Sequence, residues 1–283
     1  QLITSTGMKR VRIDLLKKIC FIGSLLLVFS CTSNQRQKED QSVNEDSINA
    51  VLNKNTVYKI PSPVELFIFM KNNGVGFKED VLNSTQNVSK YYTEMSKAFN
   101  FGVYSSDLAY CTAFGKNQKT FDYFTTTRTL GNELGLTQTF DKTMKDRVDN
   151  NLYNIDSLFQ ISNDFYWQAC QYMETNEKSE MLAVIISGAW LESLHLAVSS
   201  VQNFNPSDPL VQRIVEQDLL LDNILATFRK NNSAELVSLL NKFSGLKQAF
   251  ETLQKNPKNE SITQEQFNVI AEKVKQIRNE MIG

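Results

Sequence analysis

Between Met181 and Val201 the sequence reads MLAVIISGAWLESLHLAVSSV, a stretch with one formal charge, Glu192, and the chain's single histidine, His195. A helix that is apolar on all sides belongs either at the centre of a large fold or in a membrane. Its serines, its near-central glutamate and the polar chain on either side favour a core helix, which other helices must then surround. At 100° per residue, Met181, Gly188, Glu192, His195 and Ser199 share one narrow face. Gly188 lets a neighbouring helix approach closely, and Glu192 with His195 meets whatever lies there.

The rest of the chain is punctuated as helices. Glycine and proline together make up only 16 of 283 residues, and no segment alternates polar and apolar residues at period two, so strands are not expected. Ser62-Pro63-Val64-Glu65 has capping-box spacing with proline at the first helical position, and predicts a helix to about Asn73, stopped at Gly74 and Gly76. Asn87 is read as the cap of a helix to about Phe99 that ends at Gly102, with another following to Phe114 and Gly115. Further helices are expected over 116–134, 137–151, 156–174 and 179–201. Asn205-Pro206-Ser207-Asp208-Pro209 is the clearest break, and beyond it 209–230, 233–254 and 263–281 read as three amphipathic helices. Thr263 and Gln266 carry a second capping-box pattern.

The expected fold is all-α. Residues 58–204 form a multi-helix bundle of antiparallel helices, and 205–283 a C-terminal three-helix extension docked on it. Of 29 aromatic residues, 22 lie between Tyr58 and Trp190 and only five beyond, so the bundle is the aromatic-packed part. Tyr91-Tyr92, Phe99 with Phe101, and Phe165-Tyr166-Trp167 are expected in its core. A hydrophobic content of 41% suffices for a sizeable interior.

The N-terminal region reads as an address. After Met8, the expected start, come Lys9, Arg10, Arg12, Lys17 and Lys18, then the apolar run Ile19 to Phe29, then Ser30 and Cys31. A basic stretch followed by a short apolar one is the pattern of a secretory signal, and the run falls well short of the roughly twenty residues of a membrane span. Val28-Phe29-Ser30-Cys31 resembles the lipobox of bacterial lipoproteins. That resemblance implies a signal peptide over 1–30, cleavage before Cys31, lipidation of Cys31 and anchoring to a membrane of the cell envelope. Thr32 stands where aspartate would signal inner-membrane retention, so the outer membrane is favoured, with its periplasmic or surface face left open. Residues 31–57 are polar with few apolar side chains and read as a flexible tether.

Removing residues 1–30 takes away five basic side chains and one acid, leaving 25 basic against 30 acidic. Nucleic-acid binders show a clustered basic excess instead, so no nucleic-acid partner is expected. The expected partners are the membrane, through lipidated Cys31, and an envelope protein or a small ligand.

Candidate chemistry is sparse. Asp107 is the one charge between Ala98 and Gly115, much as Glu192 is on its own helix. A carboxylate among apolar side chains needs a partner or a raised pKa, and Arg128 and Arg147, on the next two helices, are the candidate partners. Asp107, Arg128, Arg147, Glu192 and His195 therefore form either a buried polar network that fixes helix register or the wall of a ligand pocket. Glu192 and His195 have the Glu-x-x-His spacing of ferritin-like di-iron sites, but a second such motif is impossible with one histidine. No glycine-rich phosphate loop or GxSxG elbow is present, and Ser244 with Lys247 lacks the companion motifs of an acyl-transfer enzyme. Neither cofactor nor metal is expected, and no catalytic residue is assigned. Cys111 and Cys170 lie in apolar helical segments, either bridged or as free buried thiols. The function these features favour is an envelope-anchored lipoprotein whose helical body binds a ligand or partner without catalysis. The alternative is an enzyme that uses the buried carboxylates and His195 in an interhelical cleft.

Overall fold

Two glycines set the spacing at the centre of the fold. In a computed structural model, which describes residues 63–136, 142–151, 153–230, 233–257 and 261–283, the regular elements are all helices. They are α1 (Pro63–Asn72), α2 (Glu94–Ala113), α3 (Asn117–Glu133), α4 (Lys142–Asp149) and α5 (Ile155–Thr175), then α6 (Ser179–Ser200), α7 (Pro209–Val215), α8 (Gln217–Arg229), α9 (Ala234–Glu251) and α10 (Gln264–Ile282). Short 3-10 turns occupy Thr85–Lys90 and Thr252–Lys255. The expected signal sequence, Cys31, the expected tether and Ser62 lie outside the described residues.

A Cβ on Gly102 of α2 would stand 2.1 Å from the carbonyl oxygen of Ile185, and one on Gly188 of α6 would stand 2.1 Å from that of Phe99. The two backbones therefore touch, each through the other's glycine. The close approach expected at Gly188 is present, whereas Gly102 is a packing contact rather than a helix end, and α2 runs through it unbroken. The cap expected at Asn87 is a 3-10 turn instead. Asn87 spends its amide on Asn83 Oδ1 at 2.7 Å. Thr93 starts α2, accepting from Ser96 N while Ser96 Oγ accepts from Thr93 N.

Helix α6 is long and apolar enough to cross a membrane, yet 94% of its most apolar window is buried inside the fold, as a central helix requires. Bonds between Ser106 and Ser193 and the contact of Phe99 with Gly188 advance in the same direction along both chains. Helices α2 and α6 are thus parallel, a departure from simple antiparallel alternation. The neighbours do alternate. Helix α3 returns along α2, with Thr112 bonded to Thr120 at one end and Lys97 paired with Glu133 at the other. Helix α9 returns along α8, and α10 along α9, with Asn256 bonded to Gln266 at one end and Lys242 paired with Glu280 toward the other.

One apolar cluster extends from Val64 of α1 to Ile277 of α10. Phe99, Phe101, Tyr104, Tyr110, Phe159 and Phe165 fill its aromatic part, while Phe228, Phe243 and Phe250 fill the part beneath α8 and α9. Tyr92, expected inside, is 82% exposed. It sits in the short link before the Thr93 cap. The single helix expected over 209–230 is two, meeting at Glu216, and Asp208 caps the first by accepting from Leu210 N. The change of direction brings the amide of Gln217 onto Trp190 Nε1 at 3.1 Å. The capping box at Thr263 and Gln266 is present as expected.

Gly102→Ala and Gly188→Ala each force backbone against backbone and should each cost about 3 kcal/mol or more. Gly245, whose Cβ would meet nothing within 4 Å, is the control; Gly245→Ala should be neutral or mildly stabilising. Urea unfolding of the three variants checks this, and a loss below 1 kcal/mol at the crossing would contradict the geometry.

Candidate functional site

The polar residues on the apolar helices converge on one irregular stretch of chain. Residues 73–84 join α1 to the first 3-10 turn, and their backbone groups lack the regular partners of a helix. Buried backbone donors and acceptors must nonetheless be satisfied. Lys78 N donates to Tyr110 Oη at 2.9 Å, and Asn83 N donates to Asp107 Oδ2 at 3.3 Å. Tyr123 Oη donates to the carbonyl of Asn83 at 2.9 Å, and Tyr104 Oη to that of Ser84 at 2.8 Å. The carbonyl of Val81 accepts from His195 Nε2 at 3.2 Å and from Arg278 Nη2 at 3.1 Å. Helices α2, α3, α6 and α10 each supply a side chain in place of a second strand of backbone.

At the centre of this cluster Glu192 accepts both hydrogen bonds of a two-pronged guanidinium contact, from Arg278 Nε at 2.6 Å and Nη2 at 2.7 Å. Glu192 is fully buried and Arg278 is 6% exposed. A buried ion pair of this kind offsets its desolvation only when the geometry is good and the remaining donors are spent. Here Nη2 also serves Val81.

Asp107 lies within hydrogen-bonding reach of Glu192, and burial, followed by the negative charge of Glu192, pushes its carboxyl well above the usual carboxylate range. Its Oδ1 meets no donor among the described residues. Two carboxyl groups facing each other with no donor between them need a proton, so Asp107 is the neutral acid, donating to Glu192 while its Oδ2 accepts from Asn83. Burial lowers the pKa of His195. Its Nε2 carries the proton given to Val81, which leaves Nδ1 bare and without a donor among the described residues. Burial likewise holds the phenols of Tyr104 and Tyr123 well above their ordinary range, so both remain donors.

Of the residues singled out in the sequence, Asp107, Glu192 and His195 come together, and Arg128 and Arg147 do not join them. Arg147 pairs with Asp164 at 3.2 Å across α4 and α5, and Arg128, half-buried on α3, is bonded to neither acid. Their intended role belongs to Arg278. A signal for it stands in the sequence, because Phe267, Ile270, Val274 and Arg278 fall at helical spacing on one stripe, which makes Arg278 a charge at a core-facing position. Lys247 is taken by Asp218 at 2.7 Å and Asp222 at 2.8 Å. Cys111 and Cys170 are free and buried, with burial pushing the Cys170 thiol up to about 12.

None of the three principal cavities is lined by Asp107, Glu192 or His195. The largest, about 420 Å³, opens between α1, α6, α7 and α8. Trp190, Ile186 and Ala189 of α6 form its floor, Leu220 of α8 a wall, and Glu65 of α1 and Arg213 of α7 also line it. No group of three or more potential metal ligands occurs among the described residues. No family model, curated protein or solved structure matches the chain.

Two outcomes follow from the charges. Glu192→Leu strands Arg278 in the interior and should cost roughly 3–5 kcal/mol, while Glu192→Leu combined with Arg278→Met should recover most of that loss. A double-mutant cycle in urea reads this; additive losses would show that the two side chains do not act as a pair. Asp107 contributes the opposite pH dependence from a salt-bridged acid. Its raised pKa means that its share of stability is complete below about pH 4, the range where the unfolded carboxyl titrates, and is lost as pH rises toward the folded value. Asp107→Asn should therefore gain on the wild type by about 1.4 kcal/mol for each pH unit above about 4, until Asp107 itself ionises. Parallel stability curves between pH 4 and 7 would overturn the assignment of the proton.

Proposed function

We propose that this chain is a lipid-anchored protein of the bacterial cell envelope whose helical body binds a ligand or partner without transforming it. The observation that carries the binding reading is the cavity between α1, α6, α7 and α8, whose volume of about 420 Å³ falls in the range of about 300–1,000 Å³ found for small-molecule sites. Its floor is apolar and aromatic, and it lies apart from the buried acids. Catalysis by Asp107, Glu192 and His195 would need substrate to reach them. Each of the three is instead bonded to residues 73–84 or to Arg278, in a setting enclosed by α2, α3, α6 and α10.

The anchoring part of the reading rests on the run from Lys9 to Cys31 and on its resemblance to a lipobox. Two or more acyl chains on Cys31 suffice for stable attachment, since each buried methylene contributes roughly 0.8 kcal/mol. The outer membrane is favoured by Thr32. The polar tether of residues 32–57 then holds the body clear of the lipid, with the cavity free to meet soluble molecules or an envelope partner.

Expression in a bacterial host fed an alkynyl fatty acid tests the anchor. The full chain should take up label and partition with membranes, and Cys31→Ala should do neither; label retained in the variant would sink the assignment. For the body, small molecules that raise its melting temperature should lose that effect when Ile186→Trp fills the cavity floor.

A further inference from the structure

The cavity carries more information than its size, because most of the polar side chains around it already have a partner. Trp190 Nε1 donates to Gln217 Oε1 at 3.1 Å, and Gln217 Nε2 donates to the carbonyl of Arg213 at 3.2 Å. Ser193 Oγ is bonded to the carbonyl of Ala189 and to Ser106 Oγ, both at 2.7 Å. Arg213 Nη1 pairs with Glu216 Oε2 at 2.9 Å, while its guanidinium lies over the Phe69 ring at 4.6 Å. Glu65 is the exception. Its carboxylate lines the cavity, is half-buried, and has no hydrogen-bond or ion partner among the described residues. Burial raises its pKa, and only the more distant charge of Arg213 opposes that shift.

A half-buried carboxylate without a protein donor is met by water, and a ligand that displaces that water without supplying a donor does so at a cost in free energy. Among the described residues Arg213 is the one cation of the lining and it pairs with Glu216, so Glu65 leaves the lining with an excess negative charge. Beneath it lie the faces of Trp190, Ile186 and Ala189, which offer nothing to a polar group and much to an apolar one. An anionic ligand would meet Glu65 and Glu216 with Arg213 already taken. A neutral apolar ligand would cover the floor but leave Glu65 buried and unpaired.

We propose that this cavity binds a small organic amine, with an aromatic or branched apolar body on the α6 floor and its ammonium group donating to Glu65. This assignment rests on the reading of the cavity as a ligand site and adds the chemical class of the ligand. The specificity is charge-based at one end and shape-based at the other. Glu65 sets the requirement for the amine.

Three indole probes that differ in one group separate the possibilities. Tryptamine carries the ammonium, tryptophol replaces it with a neutral hydroxyl, and indole-3-acetate replaces it with a carboxylate. Titrations followed by NMR at neutral pH, on the wild type and on Glu65→Gln, give the affinities. Tryptamine should bind the wild type most tightly and indole-3-acetate most weakly. Glu65→Gln should weaken tryptamine by about tenfold and leave tryptophol unchanged. Matching melting temperatures for wild type and Glu65→Gln, checked without ligand, assign the change to binding. If tryptophol binds as well as tryptamine, or if Glu65→Gln alters nothing, the cavity is a ligand site but the amine assignment is wrong. If no probe shifts the resonances of α6 and α8 at millimolar concentration, the amine assignment and the ligand-binding reading of the cavity both fall, while the fatty-acid test of the anchor stands apart from either result.

Discussion

The pair formed by Glu192 and Arg278 joins three stretches of chain that have no local reason to meet: the middle of α6, the last turns of α10, and the carbonyl of Val81 in an irregular segment. Much of the interior follows from that junction. Residues 73–84 cannot satisfy their own backbone, so the helices that enclose them must carry polar side chains at positions that would otherwise be apolar. Asp107, Tyr104, Tyr110, Tyr123 and His195 each answer one backbone group or neighbour. The neutral state of Asp107 has the same origin. One guanidinium supports one negative charge, and the second carboxyl, sharing the same dry space, keeps its proton.

This accounts for the separation between the buried acids and the cavity. Acids and a histidine on apolar helices look in sequence like the parts of an active site, and in space they stand together. Their partners, however, are backbone groups of residues 73–84 and the guanidinium of Arg278, and the arrangement is closed. The cavity draws on different residues of the same helix. Glu192 and His195 face residues 73–84 and α10, while Ile186, Ala189 and Trp190 face α7 and α8. A single central helix thereby serves as a structural strut on one side and as the floor of the cavity on the other.

Much of the architecture was legible in the sequence. The central helix announced itself by its lack of charge, Gly188 by its place on the face shared with Glu192, and the last helix by Thr263 and Gln266. What escaped were features that depend on partners far away. Gly102 reads as a stop when viewed alone, since glycine weakens an isolated helix; only the arrival of Ile185 gives it a reason to lie mid-helix. Arg128 and Arg147 stood out as the arginines of the two helices that follow Asp107, whereas the cation used lies 86 positions from Glu192. The stripe through Phe267, Ile270 and Val274 pointed to Arg278, but an arginine at such a position can also extend its stem over the core and put its head in water. Val81 has no sequence signal at all, because its carbonyl rather than its side chain does the bonding.

The parallel course of α2 and α6 has a consequence for how the chain acquires its shape. Ser106 and Ser193 are 87 positions apart, and Arg278 reaches back across 197 to Val81. Contacts of such span close large loops, whose entropy must be met before any of the central burial is gained. Helical hairpins such as α2 with α3, or α8 with α9, can form early from neighbouring segments. The centre cannot, since Val81 and Arg278, which meet there, lie 197 positions apart. The hairpins can be made as neighbouring segments emerge, but the junction that joins them is complete only once α10 is in place.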